Sequence, residues 1–250
     1  KPFEKGAPVQ DLGVMNGPNS TATAISENGR VAGWNGAGNP GVGFLTDPKG
    51  RMALIPPYAG AATSSPGAVS WGGRVVGTGV ILNPPSSLAY LWDAASQSLM
   101  TIEPLEGYTS SQGVDLNEMG QLLLRSSAGA SNIIGGLWQN GAHHALHSLV
   151  ADMPAHTSLA RPRSLNEPGD ILVEGHVNGK IVGIVLKPTG RPFTDLNGDC
   201  ATNAHDLMML LSQWGQIPAS TGSSGVPSAD FNQDGIVDVL DLLILLGNWG

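Results

Sequence analysis

Residues 195–215 read DLNGDCATNAHDLMMLLSQWG, and residues 230–250 read DFNQDGIVDVLDLLILLGNWG. The second stretch repeats the first at a constant offset of 35 residues. Counted from the first Asp of each stretch, Asp or Asn recurs at positions 1, 3, 5, 9 and 12 of a loop. An internal repeat of this kind indicates two copies of one structural unit at the C-terminal end.

The repeated Asp and Asn positions have the spacing of a calcium-binding loop. Calcium takes about six to eight oxygen ligands, and a tightly turned loop brings alternate side chains to its inner side. Position 7 supplies a backbone carbonyl, and position 12 lies in the first turn of the following helix. The expected ligands are Asp195, Asn197, Asp199, Ala201, Asn203 and Asp206 in the first loop, and Asp230, Asn232, Asp234, Ile236, Asp238 and Asp241 in the second.

An apolar stripe follows each loop, with the i, i+3, i+4, i+7 spacing of one helical face. Gly215 and Gly250 come after the stripes, where the end of a helix favours left-handed backbone. Breaker residues precede both loops, so no entering helix is predicted. The stripe residues are Leu207, Leu210, Leu211 and Trp214 in the first copy and Leu242, Leu245, Leu246 and Trp249 in the second.

This duplicated loop-and-helix pattern resembles the dockerin family over residues 191–250. The resemblance implies a small all-α module in which each half holds one calcium ion, two ions in all. It also implies that the module docks onto a cohesin-like domain on a scaffoldin or at the cell surface. The positions that we expect to contact the partner are Ala204, His205, Leu211, Ser212, Val239 and Leu240.

Three features depart from the family pattern. Cys200 occupies loop position 6, where glycine is expected for the sharp turn, so we expect the first site to bind calcium more weakly. Positions 10 and 11 often carry Ser-Thr in the family, but here they are Ala204–His205 and Val239–Leu240, which leaves the identity of the partner open. The spacer at 216–229 is rich in Gly, Ser and Pro, and we expect it to be flexible.

A weaker repeat runs through residues 1–190, which we expect to form a separate domain. Gly29, Gly73, Gly120 and Gly169 recur at intervals of 44, 47 and 49 residues, with apolar residues four positions before and two positions after each. A third apolar segment follows each turn, and Ile55, Ile102 and Leu149 mark a fourth. Four strands in about 46 residues are typical of a β-propeller blade. The fold class is therefore predicted as mainly β, followed by the helical module.

The N-terminal repeat resembles bacterial extracellular repeats named for a His-Ala-Phe motif, through DLGVMNG (11–17), AISENGRVAG (24–33), AVSWGGRVVG (68–77) and AYLWD (89–93). That family implies export and no known reaction. The fourth unit stops after its third strand, and a strand at Asp11–Gly13 could complete it and close a four-bladed ring. The alternative, which we favour, is a larger propeller that has lost its first blades, because the chain begins at Lys1 without a Met or a signal peptide.

Charge and composition exclude some classes of function. The net charge is −8, and residues 191–250 contain seven Asp and one Arg, which suits a bound cation and opposes nucleic-acid binding. No apolar run reaches the roughly 20 residues of a membrane span. With a single cysteine, no internal disulfide can form. The single cysteine says little about compartment, but the two family resemblances imply an extracellular or cell-surface protein.

No catalytic residue is predicted, and we lean against an enzyme. The cluster of His143, His144 and His147 is interpreted as a chance grouping at a blade edge. The tryptophans Trp34, Trp71, Trp92 and Trp138 are interpreted as packing residues rather than as sugar platforms. Paired carboxylates could hydrolyse a glycoside, but the sequence alone cannot place any two of them together. The candidates are Glu103, Glu106, Asp115, Glu118, Glu167, Asp170 and Glu174.

The sequence therefore predicts a secreted, non-catalytic protein that docks through a calcium-dependent module and displays a β-repeat domain for carbohydrate or protein binding. Two alternatives stay open. In the first, the protein is an accessory or catalytic component of extracellular polysaccharide degradation. In the second, the C-terminal repeat mediates envelope assembly or pairs within its own chain, without a cohesin.

Overall fold

The computed structural model describes residues 10–15, 17–36, 41–129, 132–151, 153–188, 192–196, 201–215, 228–232 and 234–249. Within these residues, fifteen strands form four consecutive antiparallel sheets, and two helices of nine residues follow them. The structure confirms a mainly β protein with propeller-like repeats and a small helical C-terminal part. None of the described helices is both long and apolar enough to cross a membrane.

Each sheet follows chain order, so every repeat is an antiparallel meander. The first sheet contains β1 (Asn19–Ile25), β2 (Val31–Gly36), β3 (Val42–Thr46) and β4 (Met52–Ile55). The second contains β5 (Thr63–Val69), β6 (Arg74–Leu82), β7 (Pro85–Asp93) and β8 (Leu99–Ile102). The third contains β9 (Ser110–Leu116), β10 (Leu122–Ser127), β11 (Ile133–Gln139) and β12 (Ala142–Ala145). The fourth contains β13 (Thr157–Leu165), β14 (Ile171–Val177) and β15 (Lys180–Leu186).

The glycine turn between the first and second strands recurs in all four sheets. In the first sheet, the Gly29 N–H donates to the Ser26 carbonyl, and the Ser26 N–H donates to the Arg30 carbonyl. The same two bonds recur around Gly73, Gly120 and Gly169. All four glycines have φ between +76° and +92°, a region that favours glycine because it has no Cβ. The regular spacing of these glycines in the sequence therefore corresponds to this repeated turn.

Consecutive sheets pack through their first strands, and a buried serine joins neighbours. The Ser64 hydroxyl of β5 accepts from the Gly43 N–H at 2.7 Å and donates to the Ile55 carbonyl at 2.8 Å, both in the first sheet. Ser111 of β9 makes the same pair of bonds to the second sheet. Both serines are fully buried, so each satisfies two backbone groups that water cannot reach.

The structure corrects the fourth strand of the third repeat. Leu149 was expected in a strand, but it lies in a short helix, α1 (Leu146–Leu149), and the strand β12 ends at Ala145. The fully buried Leu146 explains the change, because its side chain packs into the core beside Gly135. The blade therefore closes with a helical turn that directs a leucine inward.

The N-terminal segment does not complete the fourth sheet. Within the described residues, β15 pairs with β14 alone, and residues 11–13 form no strand. The Asp11 carboxylate accepts from the Gly13 N–H, and the Gly13 carbonyl accepts from the Ser20 hydroxyl of β1. These bonds turn the segment against the first sheet. The number of blades in the intact protein stays a prediction.

The helical C-terminal part, which is predicted to span residues 191–250 and is called the module below, contains α2 (Ala204–Ser212) and α3 (Val239–Gly247). Its two halves share one core, which includes the equivalent pairs Leu196 with Phe231 and Leu210 with Leu245. Trp71 and Met119, from two glycine turns of the repeats, pack against this core. The described part of the module therefore contacts the turn end of the repeat domain.

Candidate metal centre and docking surface

The Asp at loop position 12 organises each loop from inside the module. Asp241 is fully buried, and one of its oxygens accepts from the N–H groups of Phe231 at 2.6 Å and Asn232 at 3.2 Å. Its other oxygen accepts from the Asp238 N–H at 2.9 Å. In the first loop, Asp206 accepts from the N–H groups of Leu196 at 2.7 Å and Asn203 at 2.8 Å. The duplicated sequence therefore folds into duplicated local structure.

Both helices begin with a capping box. The Asn203 side chain accepts from the His205 N–H at 2.8 Å, and the Asp238 side chain accepts from the Leu240 N–H at 2.7 Å. In return, the Asp at position 12 accepts from the N–H of the N-cap residue. These bonds satisfy backbone donors that the first turn of a helix leaves free. Positions 9 and 12 therefore fix the angle at which each loop enters its helix.

The second loop directs its oxygen-bearing side chains toward its own backbone. Asp230 accepts from the N–H groups of Asp234 at 3.1 Å and Gly235 at 3.0 Å. Asp234 accepts from the Ile236 N–H at 3.0 Å, and Gly235 has a φ of +93°. Glycine at position 6 thus supplies the left-handed turn expected from the sequence. An ionised carboxylate has about four lone-pair directions, so a carboxylate of this kind can accept backbone hydrogen bonds and also bind a cation.

The donor set fits calcium. The second loop offers carboxylate, Asn amide and backbone carbonyl oxygens, which are the hard ligands that calcium prefers. Burial raises the pKa of Asp241, and the nearby Asp230 carboxylate adds to the rise. A bound cation would stabilise the ionised forms of the Asp230 and Asp241 carboxyl groups. Among the described residues, no three His, Cys, Asp or Glu side chains converge to hold a metal by themselves, so Asn232 and the Ile236 carbonyl are needed to complete the predicted set.

The first loop is described in part. Asp195, Ala201, Asn203 and Asp206 are within the described residues, with Asp195 and Asp206 buried. The predicted ligands Asn197 and Asp199, the departure at Cys200, and most of the spacer 216–229 lie outside them. The twelve ligands and the weaker first site therefore stay predictions.

The apolar stripes of the two helices are only partly buried. Leu210 and Leu245 are completely buried, as expected for core positions. Leu211 is 51% exposed, Leu246 is 47% exposed, and Trp214 and Trp249 are also exposed. Two short helices cover only one sector of each other, so neither helix covers the outer edge of the other's stripe. Gly215 has the predicted left-handed backbone, with a φ of +72°, whereas Gly250 is outside the described residues.

The predicted partner-contact residues lie on the outer side of the helices. Ala204, His205, Leu211 and Ser212 on α2 are exposed. On α3, Val239 is exposed and Leu240 is half-buried. Leu243 of α3 is 48% exposed but lines a pocket with Trp71 of the repeats, so it is not part of this surface, whereas Met208 extends the exposed apolar surface of α2. We call this surface the docking face.

Sequence reasoning missed the residues through which the repeats contact the module. The Arg74 guanidinium donates to the backbone carbonyl of Asn232, loop position 3, at 2.5 Å, and it forms an ion pair with Asp93 at 3.6 Å. Trp71 packs against the module core and occupies the position two residues before a repeat glycine. Glu118 and Glu167 occupy the same position in later repeats. An alignment of the four turns could have singled out Trp71, because the other three turns carry Glu at this position.

Two of the candidate carboxylates come together at these turns. The Glu118 carboxylate accepts from the Trp71 N–H at 2.5 Å, and the Glu118 N–H donates to the Glu167 carboxylate at 3.0 Å. Burial raises the pKa of Glu118 to about 7, and the charge of Glu167 adds to the rise. Glu118 is only 3% exposed and also accepts from Gly72, so its carboxyl caps a turn and is closed to substrate.

The other candidates have structural partners or are separated. Glu174 pairs with Arg161 and Arg163, and Asp170 pairs with Lys187 at 3.6 Å. His143 and His144 are neighbours on β12, where successive side chains point to opposite faces. Burial lowers the pKa of His143. Trp92 is buried in the core, as interpreted, and the half-buried Trp138 also packs against a core cluster, formed by the second and third sheets.

Comparison with known proteins identifies the class of the C-terminal module. Residues 191–247 match the family model of the dockerin type I domain. The match confirms the resemblance found in the sequence, and it supports calcium as the ligand of the module and a cohesin domain as its partner. No curated protein sequence matches the chain.

Two solved structures resemble the chain weakly. TolB from Acinetobacter baumannii is 14% identical with a TM-score of 0.44, over 70% of this chain and 45% of that protein. The Aleuria aurantia lectin, a fungal six-bladed β-propeller with a fucose recognition mode, is 16% identical with a TM-score of 0.32, over 68% of this chain and 62% of the lectin. The chain thus spans about half to three fifths of these proteins.

Proposed function

We propose that the chain is an extracellular, non-catalytic protein that docks through its dockerin module and displays its repeat domain as a binding surface. The repeat domain comprises residues 1–190 and the module residues 191–250. Separate hydrophobic clusters support this division, because the module has its own core, to which the repeats contribute Trp71 and Met119. The proposed mechanism is calcium-dependent folding of two loops, followed by docking onto a cohesin-like partner.

The duplicated loop carries this proposal. In both halves the buried position-12 Asp accepts from the backbone of position 2 and of the N-cap residue. Bound calcium would supply positive charge to the carboxylates at positions 1, 5, 9 and 12 of the second loop. The free energy of ion binding would then favour the folded loop by mass action. We propose one ion in each loop.

The docking face supports a protein partner. Exposed apolar side chains of α2, including Met208 and Leu211, lie about one helical turn apart on the described surface. An exposed apolar surface on a soluble protein marks an interaction site more often than chance. Val239 replaces the polar residue that the family often carries at this position, so we propose a partner with an apolar contact surface.

The first experiment measures binding of the full chain to a panel of purified cohesin domains, in excess calcium and after chelation. Binding that disappears with chelator supports the proposal. Asp241→Asn should abolish it, whereas Asp47→Asn, an Asp that caps an exposed turn of the repeats, should leave it unchanged. Calcium-independent binding, or no loss in the Asp241 variant, would contradict the docking mechanism.

A second pair of variants tests the docking face itself. Leu211→Glu places a charge on the exposed apolar surface of α2, and it should weaken partner binding while leaving calcium binding intact. Leu172→Glu is the matched control, because Leu172 is 44% exposed on the repeat domain. Release of sugar from a polysaccharide panel by the full chain would instead support the enzymatic alternative.

A further inference from the structure

A groove of about 650 Å³ lies where the third and fourth sheets meet the C-terminal module. The repeats contribute the β11–β12 turn and the end of β15, and the module contributes Phe193 and the residues after α3. This volume is within the range of about 300–1,000 Å³ that is usual for small-ligand sites. We call it the junction groove.

Aromatic side chains line both sides of the junction groove. Trp138 lies on the repeat side, and Trp249 lies on the module side with 47% of its surface exposed. Phe193 is 42% exposed and packs edge-to-face on the buried Phe231 at 5.3 Å, which holds its ring in place. Exposed rings that are held in position offer flat apolar faces to a ligand.

The polar groups of the groove are mainly amides. Gln139 accepts from Gln121 at 3.0 Å through its oxygen, which leaves its NH₂ group available. Asn248 donates to the Ile244 carbonyl at 2.8 Å, which leaves its oxygen available. Asn140 has no hydrogen bond from its side chain to the described residues. It lies in a two-residue turn with φ values of +52° and +78°, a fixed conformation for a hairpin.

The charge of the groove also restricts the ligand. Its charged side chains are Asp170 and Lys187, which pair at 3.6 Å and cancel. A neutral groove does not favour a phosphate or a free cation. Amides both donate and accept hydrogen bonds, as hydroxyl groups do, and the aromatic rings match the C–H faces of sugar rings.

We propose that the junction groove binds a neutral oligosaccharide, with Trp249 and Trp138 as apolar contacts and Asn140, Gln139 and Asn248 as hydrogen-bonding groups. This proposal specifies the ligand of the displayed domain and rests on the proposed display function. Because Trp249 belongs to the dockerin module and Trp138 to the repeats, the site is complete only when the two parts are in contact.

The test is a calorimetric titration of the full chain, in excess calcium, with cellohexaose, xylohexaose and mannohexaose. Trp249→Ala should weaken binding of the preferred sugar about tenfold or more, since about 1.4 kcal/mol corresponds to a factor of ten. The matched control is Trp214→Ala, the equivalent residue of the first half, which is 42% exposed and does not line the groove. Asn140→Gly keeps the turn, removes the amide and should also weaken binding.

The proposal is overturned if no sugar binds, if Trp249→Ala binds as tightly as the wild type, or if Trp214→Ala loses binding equally. The proposal is also overturned if the full chain binds a pool of unfolded peptides but none of the sugars. Calcium titration of the same samples separates the two proposals. If the wild type binds calcium and cohesin but no sugar, the groove proposal alone is refuted. If the wild type does not bind calcium, the docking function is refuted.

Discussion

Replacing Glu118 with Gln should stabilise the repeat domain above neutral pH and have little effect in acid. Glu118 is buried, its neighbour Glu167 is also acidic, and its pKa is raised from 4.5 to about 7. The folded protein therefore keeps a proton on Glu118 that the unfolded chain releases between these two values. As the pH rises through this interval, the free energy of unfolding falls.

The size of the effect follows from the pKa. At about 1.4 kcal/mol for each pH unit, the interval from 4.5 to about 7 corresponds to about 3 kcal/mol. Glutamine resembles the protonated acid, because its side-chain oxygen can still accept from the Trp71 N–H. The variant should therefore match the wild type near pH 4.5 and exceed its stability by up to about 3 kcal/mol near pH 8.

Urea unfolding in excess calcium, followed by tryptophan fluorescence from about pH 4.5 to about pH 8.5, measures this difference. Both proteins contain the same C-terminal module, so its own pH dependence cancels. The control is Glu27→Gln, at the equivalent position of the first repeat, where the side chain is exposed. It should change stability by less than about 0.5 kcal/mol. Parallel stability curves for the wild type and the Glu118 variant would refute the reasoning.

Three further variants test other parts of the structure. Asp241→Ala leaves three backbone N–H groups without their acceptor, so the module should lose about 3 kcal/mol or more and one calcium ion; two bound ions in calorimetry would contradict this. Arg74→Gln removes the hydrogen bond to the Asn232 carbonyl, and should speed backbone amide hydrogen exchange in the second loop. An unchanged exchange rate would show that this contact does not stabilise the loop. Gly77→Ala places a Cβ against the Tyr90 hydroxyl, and should lower stability by about 2 kcal/mol in urea unfolding.

The local chemistry of the C-terminal module could be predicted from the sequence. The side chains that act within each loop recur at a fixed offset in the sequence. The sequence positions of Asp206 and Asp241 therefore show that these two residues are equivalent. The structure places both side chains in the module interior, where they bind the backbone of their own loops. The glycine turns could also be predicted, because Gly29 and its equivalents are required by a local backbone conformation with positive φ.

What depends on distant packing could not be predicted. Periodicity places Leu210 and Leu211 on one helical face, but it does not say where the partner helix stops covering that face. Likewise, nothing near Leu149 in the sequence indicates that Leu146 turns inward and ends the strand. The bond from the Trp71 N–H to Glu118 joins residues 47 positions apart, and only the arrangement of the sheets brings them together.

The contact between Arg74 and the second loop has a thermodynamic consequence. Arg74 donates to the carbonyl of Asn232, which is loop position 3, so the contact requires the loop in its folded form. If calcium favours that form, calcium binding must also favour the contact between the module and the repeats. Linkage is reciprocal, so the repeats must then raise the calcium affinity of the second loop by the same factor. Arg74→Gln should therefore weaken calcium binding at this loop, although Arg74 is no ligand.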